Sequence, residues 1–146
     1  MARTKLQIPE QFSFSTNIPV RITDVNYGGH VGHDTILSMI HEARVQFLHQ
    51  FGYSELHFST AGLIMRDVSI EFKNELFYGD VVTTYVTASD FSRVGFAIYY
   101  KLTNNTSDGE TTIAIAKTGM ICYDYKRKKV VSVPEEAKNR LTSLQV

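Results

Sequence analysis

Residues 24–51 read DVNYGGHVGHDTILSMIHEARVQFLHQF, a Gly-rich loop that turns directly into a helix. Ile36, Ile40, Ala43, Phe47 and Phe51 recur at spacings of three and four, and Leu37 and Leu48 widen the apolar stripe. Ser38, Glu42, Gln46 and His49 fall on the opposite side. Asp34 or His33 stands where an N-cap belongs, and Gly52 stands where the helix should stop. Such a helix has about five turns and a length of about 28 Å, enough to cross a small domain. Its N-terminus concentrates unpaired N–H groups and the positive end of the helix dipole. That end can stabilise an anion or a polarised carbonyl, so the chemistry is sought there first.

The 146 residues correspond to a single domain over 1–146, long enough to bury a proper core. The formal charge is +0, which argues against nucleic acid as the main partner. A single cysteine, Cys122, excludes an intramolecular disulfide and fits a reducing compartment. The opening MARTKLQIPE carries no apolar leader region, and no run approaches a membrane span. The expected location is the cytoplasm, with no membrane partner.

Outward from the helix, Phe12–Thr23 reads as a first strand, with Pro19 marking an edge or a bulge. Gly52–Gly62 is an irregular connection with room for one short helical turn. Leu63–Phe77 is β-rich, with Val68, Ile70 and Phe72 alternating against Asp67, Ser69, Glu71 and Lys73. Tyr78-Gly79-Asp80 turns into a strand over Val81–Phe91, and Ser92 to Gly95 turns into another over Phe96–Asn104. In the latter, Phe96, Ile98, Tyr100 and Leu102 share a face. Asn104 to Gly109 is a polar loop, and Glu110–Asp124 is a long strand with Ile113, Ile115, Ile121 and Tyr123 on one side. Lys126 to Lys129 forms a basic tip, after which Pro134 opens a short C-terminal helix. The order strand, long helix, four strands, short helix predicts an α+β hot-dog fold: a curved antiparallel sheet of about five strands wrapped around one long central helix. One such sheet leaves an edge open, and Val81–Phe91 or Phe96–Leu102 has the composition to be covered by a second copy.

Arg21-x-x-Asp24-x-Asn26-x-x-Gly29-His30-Val31, followed by His41-Glu42-Ala43-Arg44 on the helix, resembles the pattern R-x-x-D-x-D-x-x-G-H-V…E-x-A-R. That pattern belongs to the 4-hydroxybenzoyl-CoA thioesterase-like branch of the hot-dog superfamily. Ser69 to Phe72, Tyr78-Gly79-Asp80 and Val133 to Glu136 resemble its later signatures, so the likeness runs from Val20 to Leu141. It implies hydrolysis of an acyl-CoA without metal or organic cofactor, at a site between the subunits of a homodimer or of a homotetramer built from two dimers. The family's key carboxylate is the second aspartate of D-x-D, and here that position is Asn26. An amide neither takes a proton at neutral pH nor attacks as a nucleophile.

Each candidate carries two readings. Gly28 and Gly29 make a tight turn needing positive φ, and their missing Cβ atoms also let a thioester carbonyl approach the N–H groups at the helix start. Asn26 can hold a water or orient the thioester. Asp24 is a turn former or a substrate contact, and Asp34 an N-cap or a base. Glu42 is a solvated helix residue or the base that acts for the missing aspartate. His30 and His33 bond loop carbonyls or join the chemistry. No metal site is expected, since no spacing such as H-E-x-x-H occurs. Tyr27 packs on an acyl group or on the sheet edge. Arg93 and the run containing Lys128 are solvated basic turns or contacts to the phosphates of coenzyme A.

Overall fold

The computed structural model describes residues 5–143, so the first four residues of the opening segment lie outside it. The chain runs β1 (Phe14–Pro19), a 3-10 turn (Ile22–Asp24), α1 (His33–His49), β2 (Gly62–Phe72), β3 (Val81–Ser89), β4 (Gly95–Thr106), β5 (Gly109–Asp124), β6 (Lys129–Val130) and α2 (Glu135–Ser143). The strands form one antiparallel sheet in the order β1-β3-β4-β5-β2, with the two-residue β6 added to β5. This is the hot-dog arrangement, with one strand more than expected. Among the described residues no helix is long and apolar enough to cross a membrane.

Side-chain size across the sheet makes room for the helix. On β4 the inward residues are Phe96, Ile98, Tyr100 and Leu102, and their partners on β5 are Met120, Thr118, Ala116 and Ala114. From Ile98 to Leu102 bulky positions stand opposite small ones, so this part of the inner face is stepped rather than flat. Ile36, Met39, Ile40, Ala43, Phe47 and Leu48 of α1 pack into the same buried cluster. The inward face of β5 is therefore not the Ile113, Ile115, Ile121 and Tyr123 set. Ile113 is buried where the β4–β5 register shifts beside Leu102 and Thr103, and the others fall outside the core cluster. Leu37 also stays exposed, which narrows the apolar stripe of α1.

α1 ends as its sequence implies. Gly52 adopts φ +80°, while its N–H donates to the His49 carbonyl at 2.9 Å and the Tyr53 N–H to that of Leu48 at 3.0 Å. This is the doubly bonded glycine terminator, which needs a left-handed residue. The connection that follows contains no helical turn.

Three boundaries differ from expectation. β1 stops at Pro19 because a 3-10 turn follows, whose start is held by the Arg21 backbone N–H donating to Asp24 Oδ2 at 2.8 Å. β2 stops at Phe72, well short of Phe77. The polar run from Asn104 is mostly strand, closed by a two-residue turn at Ser107 and Asp108 with Gly109 at φ +116°. The free sheet edges also differ: β3 and β4 are interior, leaving β1 and β2 outside. On the outer face, the Leu6 N–H bonds the Glu71 carboxylate and Phe12 lies 6.1 Å from the Tyr85 ring, so residues 6–12 cross that face.

Arg44 carries a charge into the core. Arg44 Nε donates to Glu55 at 2.7 Å and its Nη1 to Tyr100 Oη at 3.2 Å, and Tyr100 in turn bonds Thr118 at 2.8 Å. Burial disfavours the guanidinium charge, but Tyr100 and Glu55 outweigh it and hold the pKa above its usual value. Arg44→Met removes the guanidinium from Glu55 and leaves it only His41 Nε2, at 3.6 Å. It is expected to destabilise the fold by about 2 kcal/mol, less than a fully buried pair would lose, because 33% of the Glu55 side chain meets solvent. Urea unfolding of the two proteins checks this, and an unchanged midpoint would show the network to be neutral.

Candidate active site

The loop before α1 is organised by Asn26. Its N–H donates to the His30 carbonyl at 2.9 Å and its carbonyl accepts from Gly29 at 3.0 Å. Its side-chain Oδ1 accepts from the N–H groups of Gly28 at 2.9 Å and His30 at 3.3 Å. Of the two turn glycines, Gly29 alone takes a positive φ, +81°. The loop is latched onto the β2–β3 connection by a bridge from His30 to Phe77 and by the Val31 N–H on the Leu76 carbonyl at 3.0 Å.

These bonds occupy the donors of the turn itself. The Gly28 and Gly29 N–H groups are already engaged, so they are not free to receive a carbonyl oxygen. The free donors lie just beyond. Gly32 occupies the N-cap position of α1 and no side chain caps the helix, so neither His33 nor Asp34 serves as expected. The first-turn N–H groups of a helix have no partner within it, and here His33, Asp34 and Thr35 carry them. A Cβ at position 32 would come within 2.6 Å of Asp34 Oδ1, so glycine there lets the carboxylate fold back over the helix mouth.

This mouth opens into a cleft of about 450 Å³ lined by Asn26, His30, His33, Asp34, Phe72 and Glu75 among others. His33 stacks on Phe72 with ring centroids 3.7 Å apart and planes 10° from parallel. His30 Nδ1 lies 3.2 Å from Glu75 Oε2, within ion-pair range though not aligned as a hydrogen bond. Phe72 and Glu75 were not among the candidates, because the β2 pattern was extended through Phe77. The polar run Lys73-Asn74-Glu75, which breaks the alternation, is the signal that locates them.

The other candidates lie elsewhere. Asp24 and Glu42 border a separate groove of about 340 Å³ between β1 and α1. There Glu42 accepts from Gln46 Nε2 at 2.9 Å, and Asp24 is buried with its Oδ2 accepting the Arg21 N–H at 2.8 Å. Glu42 is thus not beside Asn26 in the chain, whereas Asp34 is. Tyr27 is fully exposed and packs on nothing. Arg93 and Lys128 sit near the Tyr123 end of β5, opposite Gly62, whereas the cleft adjoins Phe72, opposite Ala114. At roughly 3.3 Å per residue the two ends of β2 are about 33 Å apart. Among the described residues no three His, Cys, Asp or Glu side chains gather as a metal set. Cys122 is buried, which pushes its thiol up to about 11 and away from reactivity.

The sequence profile of the thioesterase-like superfamily matches residues 20–141. A putative esterase of Aquifex aeolicus is 28% identical over 119 residues, covering 80% of this chain and 88% of that one. The 1,4-dihydroxy-2-naphthoyl-CoA hydrolase of Microcystis aeruginosa is 30% identical over 125 residues, covering 84% and 88%. The crystal structure of a 1,4-dihydroxy-2-naphthoyl-CoA thioesterase from Synechocystis superposes with a TM-score of 0.80 at 22% identity, over 91% of this chain and 98% of that one.

Proposed function

Because the chain belongs to the thioesterase-like superfamily, we propose that it hydrolyses the thioester bond of an acyl-coenzyme A, releasing the free acid and CoA. The observation that carries this reading is the uncapped N-terminus of α1 opening into the cleft beside Asn26. A thioester carbonyl oxygen aimed at the His33, Asp34 and Thr35 N–H groups gains the helix dipole as charge develops on it. One such donor is typically worth about 3 kcal/mol to the transition state.

Asn26 has a defined part. Its Oδ1 is spent on the loop backbone, so its Nδ2 remains to donate toward the carbonyl or the attacking water. Water attacks the carbonyl carbon, the C–S bond breaks, and the electrons leave on sulfur. The water's proton passes to a titratable group of the same cleft, where Asp34 and His30 stand. The reaction needs no cofactor. The lone buried Cys122 suits a cytoplasmic enzyme.

A homodimer, or a tetramer of two, completes the reading. β2 is a free edge strand with Ile64, Met65, Val68 and Phe72 exposed along it, a composition that needs covering. Two-fold antiparallel pairing of β2 with its copy sets the Gly62 end of one chain beside the Phe72 end of the other. That brings the second copy's Arg93 and Lys126–Lys129 region toward this cleft, where the phosphates of coenzyme A can meet it.

The alternative is a non-catalytic module that binds an acyl-CoA or an acyl-carrier protein, favoured by the absence of a carboxylate at Asn26. A screen of purified protein against short, long and aromatic acyl-CoAs separates the two. Hydrolysis of at least one is expected, with turnover lowered about tenfold or more in Asn26→Ala and within about twofold of wild type in Glu42→Gln. Tight binding without turnover across the whole panel would favour the binding module instead.

Assembly is tested separately. Val68→Lys puts a charge on the β2 edge and is expected to convert a sedimenting dimer or tetramer into monomer. Lys128→Ala/Lys129→Ala should raise KM and flatten its salt dependence while leaving kcat in place. A wild-type monomer at micromolar concentration would refute the shared site.

A further inference from the structure

We propose that Glu75 is the positioning carboxylate of a Glu75–His30 pair, in which His30 takes the proton of the attacking water. The proposal rests on the thioesterase reading and deepens it: it names the group that acts where the family's aspartate is replaced by Asn26.

The geometry of His30 carries it. Its Nδ1 is buried and lies 3.2 Å from Glu75 Oε2. Its opposite edge faces the glycine turn, since a Cβ built on Gly28 would come within 3.2 Å of His30 Cδ2 and 4.0 Å of Nε2. One imidazole therefore has its first nitrogen toward a carboxylate and its second toward the turn beside the helix mouth. The residue is held by two backbone contacts and one ring contact. Its backbone N–H bonds Asn26 Oδ1 at 3.3 Å, its backbone bridges Phe77, and its ring lies 5.0 Å from that of Phe77.

A neutral imidazole carries one proton. A carboxylate beside Nδ1 keeps that proton on Nδ1 and leaves the Nε2 lone pair free to accept. This is the division of labour between carboxylate and imidazole in acyl-transfer triads, with water in place of a side-chain nucleophile. Glu75 and Nδ1 are close but not aligned, and such bonds commonly tighten only when substrate is bound. The step balances: the water oxygen bonds the carbonyl carbon as its proton moves to His30 Nε2. The tetrahedral intermediate then expels the thiolate, and the same proton returns to sulfur, giving acid and thiol.

Asp34 is the competing acceptor, and the test separates the two. Glu75 is largely exposed, so Glu75→Gln is expected to fold as wild type, with equal thermal melting. It should lower kcat about ten- to a hundredfold with KM little changed, the usual scale for losing the partner of a working histidine. His30→Gln should be at least as impaired, and the double variant no worse than His30→Gln alone, as for groups acting as a unit. Nitrogen-15 NMR of His30 gives a readout free of substrate: the neutral ring carries its proton on Nδ1 in wild type and shifts toward Nε2 in Glu75→Gln. An unchanged tautomer with kcat within twofold of wild type would overturn the pair. So would full activity in both variants beside an inactive Asp34→Asn. If no acyl-CoA is hydrolysed at all, the thioesterase reading fails on its own, while the tautomer shift still reports whether Glu75 directs His30.

Discussion

The position of α1 depends on a difference in side-chain size between two neighbouring strands. β4 brings Phe96, Ile98, Tyr100 and Leu102 to the inner face, and β5 sets Met120, Thr118, Ala116 and Ala114 opposite them. If both strands carried large residues, the helix would be lifted off the sheet and Arg44 could not reach Tyr100. If both carried small ones, the core would be left with voids costing stability in proportion to their volume. The polar chain from half-buried Glu55 through Arg44 and Tyr100 to Thr118 crosses from the helix to both strands, and its bond geometry ties α1 to the sheet. The stepped face and that polar tie together set where the N-terminus of α1 opens.

The elements of this fold were legible where periodicity and turn chemistry agree. The helix from His33 and its terminator at Gly52, and the face shared by Phe96 to Leu102, follow from spacing alone. The errors came where a local pattern does not say which face is buried. On β5 the isoleucines draw the eye, yet the inward row is mostly alanine and threonine, because the neighbouring strand already fills the space. The open edge was misplaced for a related reason. β3 and β4 have the composition of buried strands because they are interior, and the edge strand β2 keeps polar residues on its outer face and leaves part of its apolar row uncovered.

The site was half legible. Asn26, His30, His33 and Asp34 are close in sequence and fall together in one cleft. Glu42, two turns further along α1, lines a different groove of the same chain. Glu75 was missed because it is distant in sequence and enters the cleft only when Val31 and His30 pair with the segment ending at Phe77. Contacts made by long-range strand pairing leave no local trace.

Asn26 ties these threads together. An aspartate in its place could accept the same two N–H bonds from Gly28 and His30, so the loop itself does not distinguish the two side chains. What differs is the remaining arm, an acceptor in aspartate and a donor in asparagine. In the proposed reaction a donor there can hold the carbonyl or orient the water but cannot take its proton, so the proton must go to another group that the loop positions. The same Oδ1 that holds the turn also bonds the His30 N–H, which joins the architectural role of residue 26 to the aim of the imidazole. In the proposed reaction that group is a histidine already set in the same loop and facing a carboxylate from the opposite wall of the cleft.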